Sequence, residues 1–428
     1  MEFSLPQITP FKGIKAEMPQ VEILDNGAEI LVARYPGCEV LYVGLIFGGG
    51  MITQKKPLQC LTTLRMLPQG TKTLSSEEIA EQLDFRGSQI TTTSLNFSSA
   101  ISGTAVSRHA IHLITLLEKI VKEASFPQKE FDLLAKKTCE NLRLALTMGN
   151  VLASNKLDSM LWGENHPLGH DVTIEDVENL SLDDVKQFYH DHFNSDNVTI
   201  VLSGDISDEI LSQIKQSFSG NWGGKSVAEA TIPCVSSSEP KTEIIDRPHL
   251  VQSSIMGALM MPLRTNPDYQ ALRCLVKLLG GYYGSRLNMN IREEKGYTYG
   301  ITAELLGHRQ IAFMNISTEC NIEYTHKVIE EIKKEIEGFI FKPVTEAETD
   351  LLRNNMFKRL AATIENPFSF GKYLLNMHDI QEAPDYINRQ VDFINQITCD
   401  TLNRVARNYL SADNLYFAIA TNKKELKS

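Results

Sequence analysis

The chain has no Cys-x-x-Cys pair: its seven cysteines, Cys38, Cys60, Cys139, Cys234, Cys274, Cys320 and Cys399, stand singly along 428 residues. That excludes a zinc ribbon or a redox dithiol and suits a reducing compartment. Cys60, Cys139 and Cys274 sit among apolar neighbours and are expected to act as small core hydrophobes. Long apolar runs are also missing. The longest, such as Leu41–Phe47, are far too short to span a bilayer, so no membrane partner is expected. Met1 to Met18 shows no charged leader before an apolar core, and the chain reads as cytoplasmic. Positive charge is in deficit, with 42 Lys and Arg against 53 Asp and Glu. Nucleic acid is thereby excluded, because phosphate binding needs a basic face. What remains, 42% hydrophobic and 22% charged, is the material of a soluble protein with two sizeable cores.

Those two cores are foreshadowed by an internal repeat. Ser181–Ser203, SLDDVKQFYHDHFNSDNVTIVLS, lines up with Thr398–Ala420, TCDTLNRVARNYLSADNLYFAIA, at an offset of 217 residues. Each copy opens on a helix N-cap, runs with helical apolar spacing, turns at Asp-Asn and enters an apolar strand. Upstream, Asp132-Leu133-Leu134 and Asp350-Leu351-Leu352 repeat at an offset of 218 residues, each after a Pro-containing turn. Each unit begins with strand-like alternation (Val21–Val32 and Val40–Phe47; Lys241–Ile245 and Gln252–Leu259) before its long helices. The expected fold is α+β, two repeated halves, each an antiparallel-rich sheet with helices on one face. The Gly-, Ser- and Ala-rich stretch 218–239 reads as the linker, leaving a first repeat at 1–217 and a second at 240–428.

In the first half, strand Leu41–Phe47 and Gly48-Gly49-Gly50 precede a helix, and Gly70-Thr71-Lys72 follow it. A capping box, Ser75-Ser76-Glu77-Glu78, then starts a second helix that Gly87 stops. This order resembles the pitrilysin/insulinase metallopeptidases, the inverzincins, whose first half carries H-x-x-E-H on a helix. In that family the two histidines and a downstream glutamate hold zinc, and the motif glutamate is the general base. Here H-x-x-E-H is absent from the whole chain. The matching segment is Leu61-Thr62-Thr63-Leu64-Arg65, so Leu61, Leu64 and Arg65 occupy the metal-motif positions. None is a zinc ligand, and Arg65 repels a cation. Glu140 falls near the third ligand position. Among other histidines, His166 and His170 are separated by Pro167, and His190 and His192 point to different faces. His109 and His112 have i, i+3 spacing but read as a solvated face. No metal is expected in this chain.

The second half carries Gly280-Gly281-Tyr282-Tyr283-Gly284-Ser285-Arg286-Leu287-Asn288-Met289-Asn290-Ile291-Arg292-Glu293-Glu294-Lys295-Gly296-Tyr297-Thr298-Tyr299-Gly300. Ser285 is expected to cap a short helix that Gly296 ends, with Tyr297 and Tyr299 on one face of the following strand. Arg292 and Tyr299 then converge, and Arg286 reads as a structural anchor. The stretch resembles the family's second-half signature, where an arginine and a tyrosine at this spacing reach the zinc half. The resemblance implies that they hold the peptide backbone and stabilise the oxyanion. The competing reading pairs Arg292 with Glu293 on the surface and packs Tyr299 beneath a helix.

The resemblance therefore implies the non-zinc subunit of a heteromeric zinc metalloendopeptidase, one half of a clamshell and inactive alone. It would supply Arg292 and Tyr299 in trans to a zinc-motif-bearing partner that holds the zinc and its base, with a peptide as substrate. The alternative is a catalytically inert structural, assembly or peptide-binding scaffold subunit of the same fold. A homodimer of the isolated chain stays open.

Overall fold

Alternating and continuous apolar runs become eleven strands in two sheets of a computed structural model, which describes residues 13–227 and 239–426. The first sheet contains β1 (Gln20–Ile23), β2 (Glu29–Arg34), β3 (Val40–Gly48), β4 (Gln89–Ser94), β5 (Ser98–Val106) and β6 (Val198–Gly204). The second contains β7 (Thr242–Asp246), β8 (Gln252–Met260), β9 (Thr298–Gly307), β10 (Ala312–Asn321) and β11 (Tyr416–Thr421). Their orders are β1-β2-β6-β3-β5-β4 and β7-β11-β8-β10-β9. In each, the last strand slots in parallel to the first long strand and antiparallel to the next: β6 between β2 and β3, β11 between β7 and β8. The repeat seen in sequence is thus a repeat of topology, and the α+β expectation holds.

The caps form as their residue types require. Ser75 accepts from the Glu78 N–H while Glu78 returns to Ser75, and Gly87, at φ 60°, takes the left-handed turn that closes the helix Ser76–Arg86. Ser181 and Thr398 cap the two repeated helices Leu182–His192 and Cys399–Tyr409. The first core lies between its sheet and helices such as Ala110–Lys122, which contributes Leu113, Ile114, Leu117, Ile120 and Val121.

The compact units depart from chain order. One is Glu17–Glu239 with Glu365–Pro384; the other is Pro240–Ile364 and Asp385–Ser428, with the described residues up to Ala16. A helix of the second repeat, Pro367–Asp379, therefore belongs to the first sheet's unit. Residues 41–47 of β3 are buried on both faces, which is why that strand reads as an unbroken apolar run. The approach is close: a Cβ on Gly371 would lie 2.3 Å from the Tyr42 ring, and one on Gly44 would lie 3.1 Å from Leu375. Asp379 accepts the Phe97 N–H at 3.2 Å, fixing the helix end.

Two further expectations change. The stretch taken as linker from 218 is packed at its start, where Phe218 ends the helix Asp208–Phe218, fully buried, with the Trp222 ring 6.1 Å away. Within that expected linker, 228–238 lie outside the described residues. Cys60 and Cys274 are buried as expected, but Cys139 is half-buried and Cys320 takes a core place instead. Cys139 rides on Gln128–Ala145, a helix that fully buries only Phe131. No described helix is long and apolar enough to cross a membrane.

Candidate functional site

The helix Gln59–Met66 places the degenerate motif. Leu64 is fully buried in the first core, Leu61 is half-buried and Arg65 is exposed. Arg65 lines a cavity of about 470 Å³ together with Gln69, Thr92, Lys137, Thr138 and Asn141. Neither Arg65 nor Lys137 has an ion pair among the described residues, so the cavity is basic. Two aliphatic side chains and a guanidinium offer no lone pair to a zinc ion, and the added charge opposes one. Glu140 is exposed and turned from the cavity, which meets the Leu134, Lys137, Thr138 and Asn141 face of its helix. The residues present do not fit zinc.

The other histidines do not replace it. His109 accepts from the Arg108 Nε at 3.4 Å, and Arg86 and Lys119 add positive charge around His112, whose pKa is lowered by burial first. His192 is buried with its ring 4.4 Å from Phe188, whereas His190 is exposed. His166 and His170 do share the wall of a cavity of about 270 Å³, through the turn at Pro167 rather than a helix. His170 is tied to Asp176 at 2.9 Å. Among the described residues no three His, Cys, Asp or Glu side chains are grouped to hold a metal.

In the second sheet's unit, the turn carrying Arg292 is a π-helix, Asn288–Glu294, recognisable by the Lys295 N–H bonding to the Asn290 carbonyl at 3.0 Å. Such helices are rare and gather at functional sites, because the extra residue per turn re-aims every side chain after it. This one is clamped from several sides. Asn288 Nδ2 donates to the Ile301 carbonyl at 2.8 Å and to Ser285 Oγ at 3.2 Å. Ser285 thus serves as a buried acceptor for a side chain rather than as the expected side-chain cap. Asn290 Nδ2 donates to Glu331 at 3.1 Å and Glu335 at 2.7 Å, and Lys295 pairs with Glu331 at 2.6 Å. Arg286 is the anchor expected of it. It grips Glu348 with two bonds, 2.8 and 3.1 Å, donates to the Lys342 carbonyl and lies 4.2 Å over the Phe339 ring. Gly296, at φ 65°, releases the chain into β9.

Arg292 leaves this frame half-exposed. Its Nε stands 3.3 Å from Glu293 and its guanidinium 4.9 Å over the Tyr283 ring. Glu293 also accepts from Tyr283, and that bond to the protonated phenol raises the Tyr283 pKa. Tyr283, Arg292 and Glu293 form one surface cluster, and neither Arg292 Nη nitrogen has a hydrogen bond among the described residues. Tyr299 is 94% exposed, and its phenol likewise has no described partner. No bond joins Tyr299 to Arg292. The expected pairing of Tyr297 with Tyr299 on one strand face does not form, because β9 starts at Thr298 and Tyr297 stacks on Tyr324 at 4.7 Å. Neither the clamp formed by Glu331, Lys295 and Asn290 nor the place of Tyr283 is legible in the sequence, because Glu331 lies far along the chain from the residues it holds and no local spacing marks Tyr283. Chemically, the Arg292 guanidinium and the separate, exposed Tyr299 phenol offer N–H and O–H donors to a carbonyl or carboxylate arriving from outside.

Residues 179–356 match the family model described as "Peptidase M16 inactive domain". The chain is 21% identical over 397 residues to the "Uncharacterized zinc protease YmxG" of Bacillus subtilis, covering 91% of this chain and 95% of that one. It is 23% identical over 408 residues to the "Non-peptidase homolog YmxG" of Helicobacter pylori, covering 90% of each. Among solved structures, a peptidase M16 inactive domain from Pseudomonas fluorescens matches with TM-score 0.83 at 21% identity, covering 94% of this chain and 98% of that one. A protease from Helicobacter pylori matches with TM-score 0.82 at 17% identity, over 95% and 100% of the two chains.

Proposed function

We propose, from the premise that this chain is an M16-type, pitrilysin/insulinase-like protein without the zinc motif, that it serves as the non-zinc subunit of a heteromeric metalloendopeptidase. Arg292 and Tyr299 donate hydrogen bonds to a peptide held at a partner's zinc site, and the chain alone does not cleave. One observation carries the reading: a clamped π-helix presents Arg292 with its Nη donors unspent, while Tyr299 stands almost wholly in solvent. Tyrosine and arginine side chains are enriched where a partner is met. The degenerate helix supports it from the other side, since Leu64 in the core leaves no place for a metal of its own. The reading keeps the protein in the cytoplasm, where its unpaired thiols stay reduced.

A second reading has its own observation. Arg292 already faces Glu293 and Tyr283, which is how an arginine of a purely structural subunit or scaffold would be held. Peptide hydrolysis separates the two when measured for the chain, for an H-x-x-E-H subunit, and for their mixture, each repeated with Arg292→Ala. Activity confined to the wild-type mixture, and lowered roughly 100-fold by the substitution, is expected of the shared site. Equal activity of the mutant mixture would leave the inert subunit.

A further inference from the structure

Away from that cluster, the same unit holds a conflict of charge. The helix Tyr269–Gly280 carries Arg273 and Lys277 four residues apart, with no acidic residue anywhere in its sequence YQALRCLVKLLG. Like charges at that spacing repel on a helix. Arg359, from the helix Glu346–Glu365, joins them at a cavity of about 310 Å³, opposed only by Glu304 of β9. None of the four has an ion pair among the described residues. Among the described residues Arg273 and Arg359 make only long bonds, to Tyr386 Oη at 3.5 Å and to the Gly281 carbonyl at 3.4 Å. Burial first, and then the Arg359 charge, push the Lys277 amine down to about 8, with Glu304 opposing. A fold gains nothing from gathering three cations in a half-buried cleft of an otherwise acidic chain, and such local conflicts mark functional places. The rest of the wall is apolar, including Val276, Leu306 and Leu360. Glu304 through Leu306 line it consecutively, so it opens along the edge of β9, which among the described strands pairs with β10 alone.

We propose that this cavity binds a carboxylate carrying an apolar group, with Arg273, Lys277 and Arg359 on the anion and the aliphatic wall on its side chain. Guanidinium groups fit carboxylates in two-bond geometry, and the ammonium adds a point charge. A phosphate would leave the apolar wall unused. The ligand is either a free branched or straight-chain acid or the C-terminal residue of a peptide, which share this chemistry. Binding returns a proton to Lys277, because an anion beside the amine favours its charged form.

The test is calorimetric titration of the full chain at pH 8 in two buffers of different ionisation enthalpy. The probes are 4-methylpentanoate, acetyl-Leu-Leu with a free C-terminus, and the amides of both. Binding of the acid identifies a free acid as the source, and binding of the peptide alone identifies a C-terminus; either, with proton uptake, supports the site. Lys277→Met is expected to abolish the uptake and weaken binding roughly tenfold or more, and Arg359→Gln, at an exposed position, to weaken it similarly. Lys277→Met removes a half-buried charge, so its melting temperature should hold or rise at pH 7, and the gain should shrink as pH rises from 8 toward 10.5. No binding at millimolar probe, amides binding as well as acids, or unchanged affinity in both variants would overturn the proposal.

Discussion

Glu331 is 8% exposed and collects Lys295, Lys334 and Asn290, whose bonds hold its carboxyl down to about 2 against burial, which alone would raise it. A folded-state value below the unfolded one means stabilisation that is complete above the unfolded pKa and lost as pH falls through the folded one. Glu331→Gln is therefore expected to cost about 2 kcal/mol at pH 7. The difference from wild type should narrow between pH 4.5 and 2, as followed by denaturant midpoints. An unchanged difference at low pH would mean that packing, not charge, is lost. At this scale the sequence was half legible. Arg292, Tyr299 and Arg286 stand in a contiguous signature whose spacing survives in the chain itself. Glu331 does not, because nothing local in the helix Thr325–Phe341 separates a carboxylate that clamps the π-helix from neighbours such as Glu330 or Glu337.

Elements written by local hydrogen bonds were legible for the same reason. The capping boxes at Ser75 and Ser181 need only residues three apart, and both form. The π-helix was not legible, since the residues that favour an α-turn also fill a π-turn, and it is tertiary clamps that hold the longer loop of hydrogen bonding here. Two glycines of one signature divide accordingly. Gly296 lies at φ 65°, where a Cβ is strained, although nothing crowds it. Gly300 has open space and no left-handed backbone. Gly296→Ala should cost about 1 kcal/mol and lower the melting temperature, while Gly300→Ala should stay within about 0.5 kcal/mol of wild type. Comparable losses at both positions would show that the π-helix exit is not set by backbone conformation.

At the scale of the whole molecule, the repeat gave the two sheets but not the exchange of Pro367–Asp379 into the first sheet's unit. Periodicity shows that a helix has an apolar face and is silent about which sheet it covers; the unbroken burial of β3 was the clue, since a strand apolar on both faces needs a cover on each. A substitution on that helix should therefore be felt far away in sequence. A Cβ on Gly371 would meet Tyr42 at 2.3 Å from ring carbon Cδ1 and 2.7 Å from Cε1. Overpacking of this kind typically costs about 1–3 kcal/mol. Gly371→Val is thus expected to raise hydrogen exchange at the β3 amides Leu41 to Leu45. Exchange at the β8 amides Ser253 to Leu259, nearer to residue 371 in sequence, should change little. Faster exchange confined to β8 would mean that this helix belongs, in solution, with the repeat that encodes it. Faster exchange at β3 would show that the stability of the first sheet's unit is written partly in the second repeat, so that the first repeat cannot be cut free at residue 239 and remain whole.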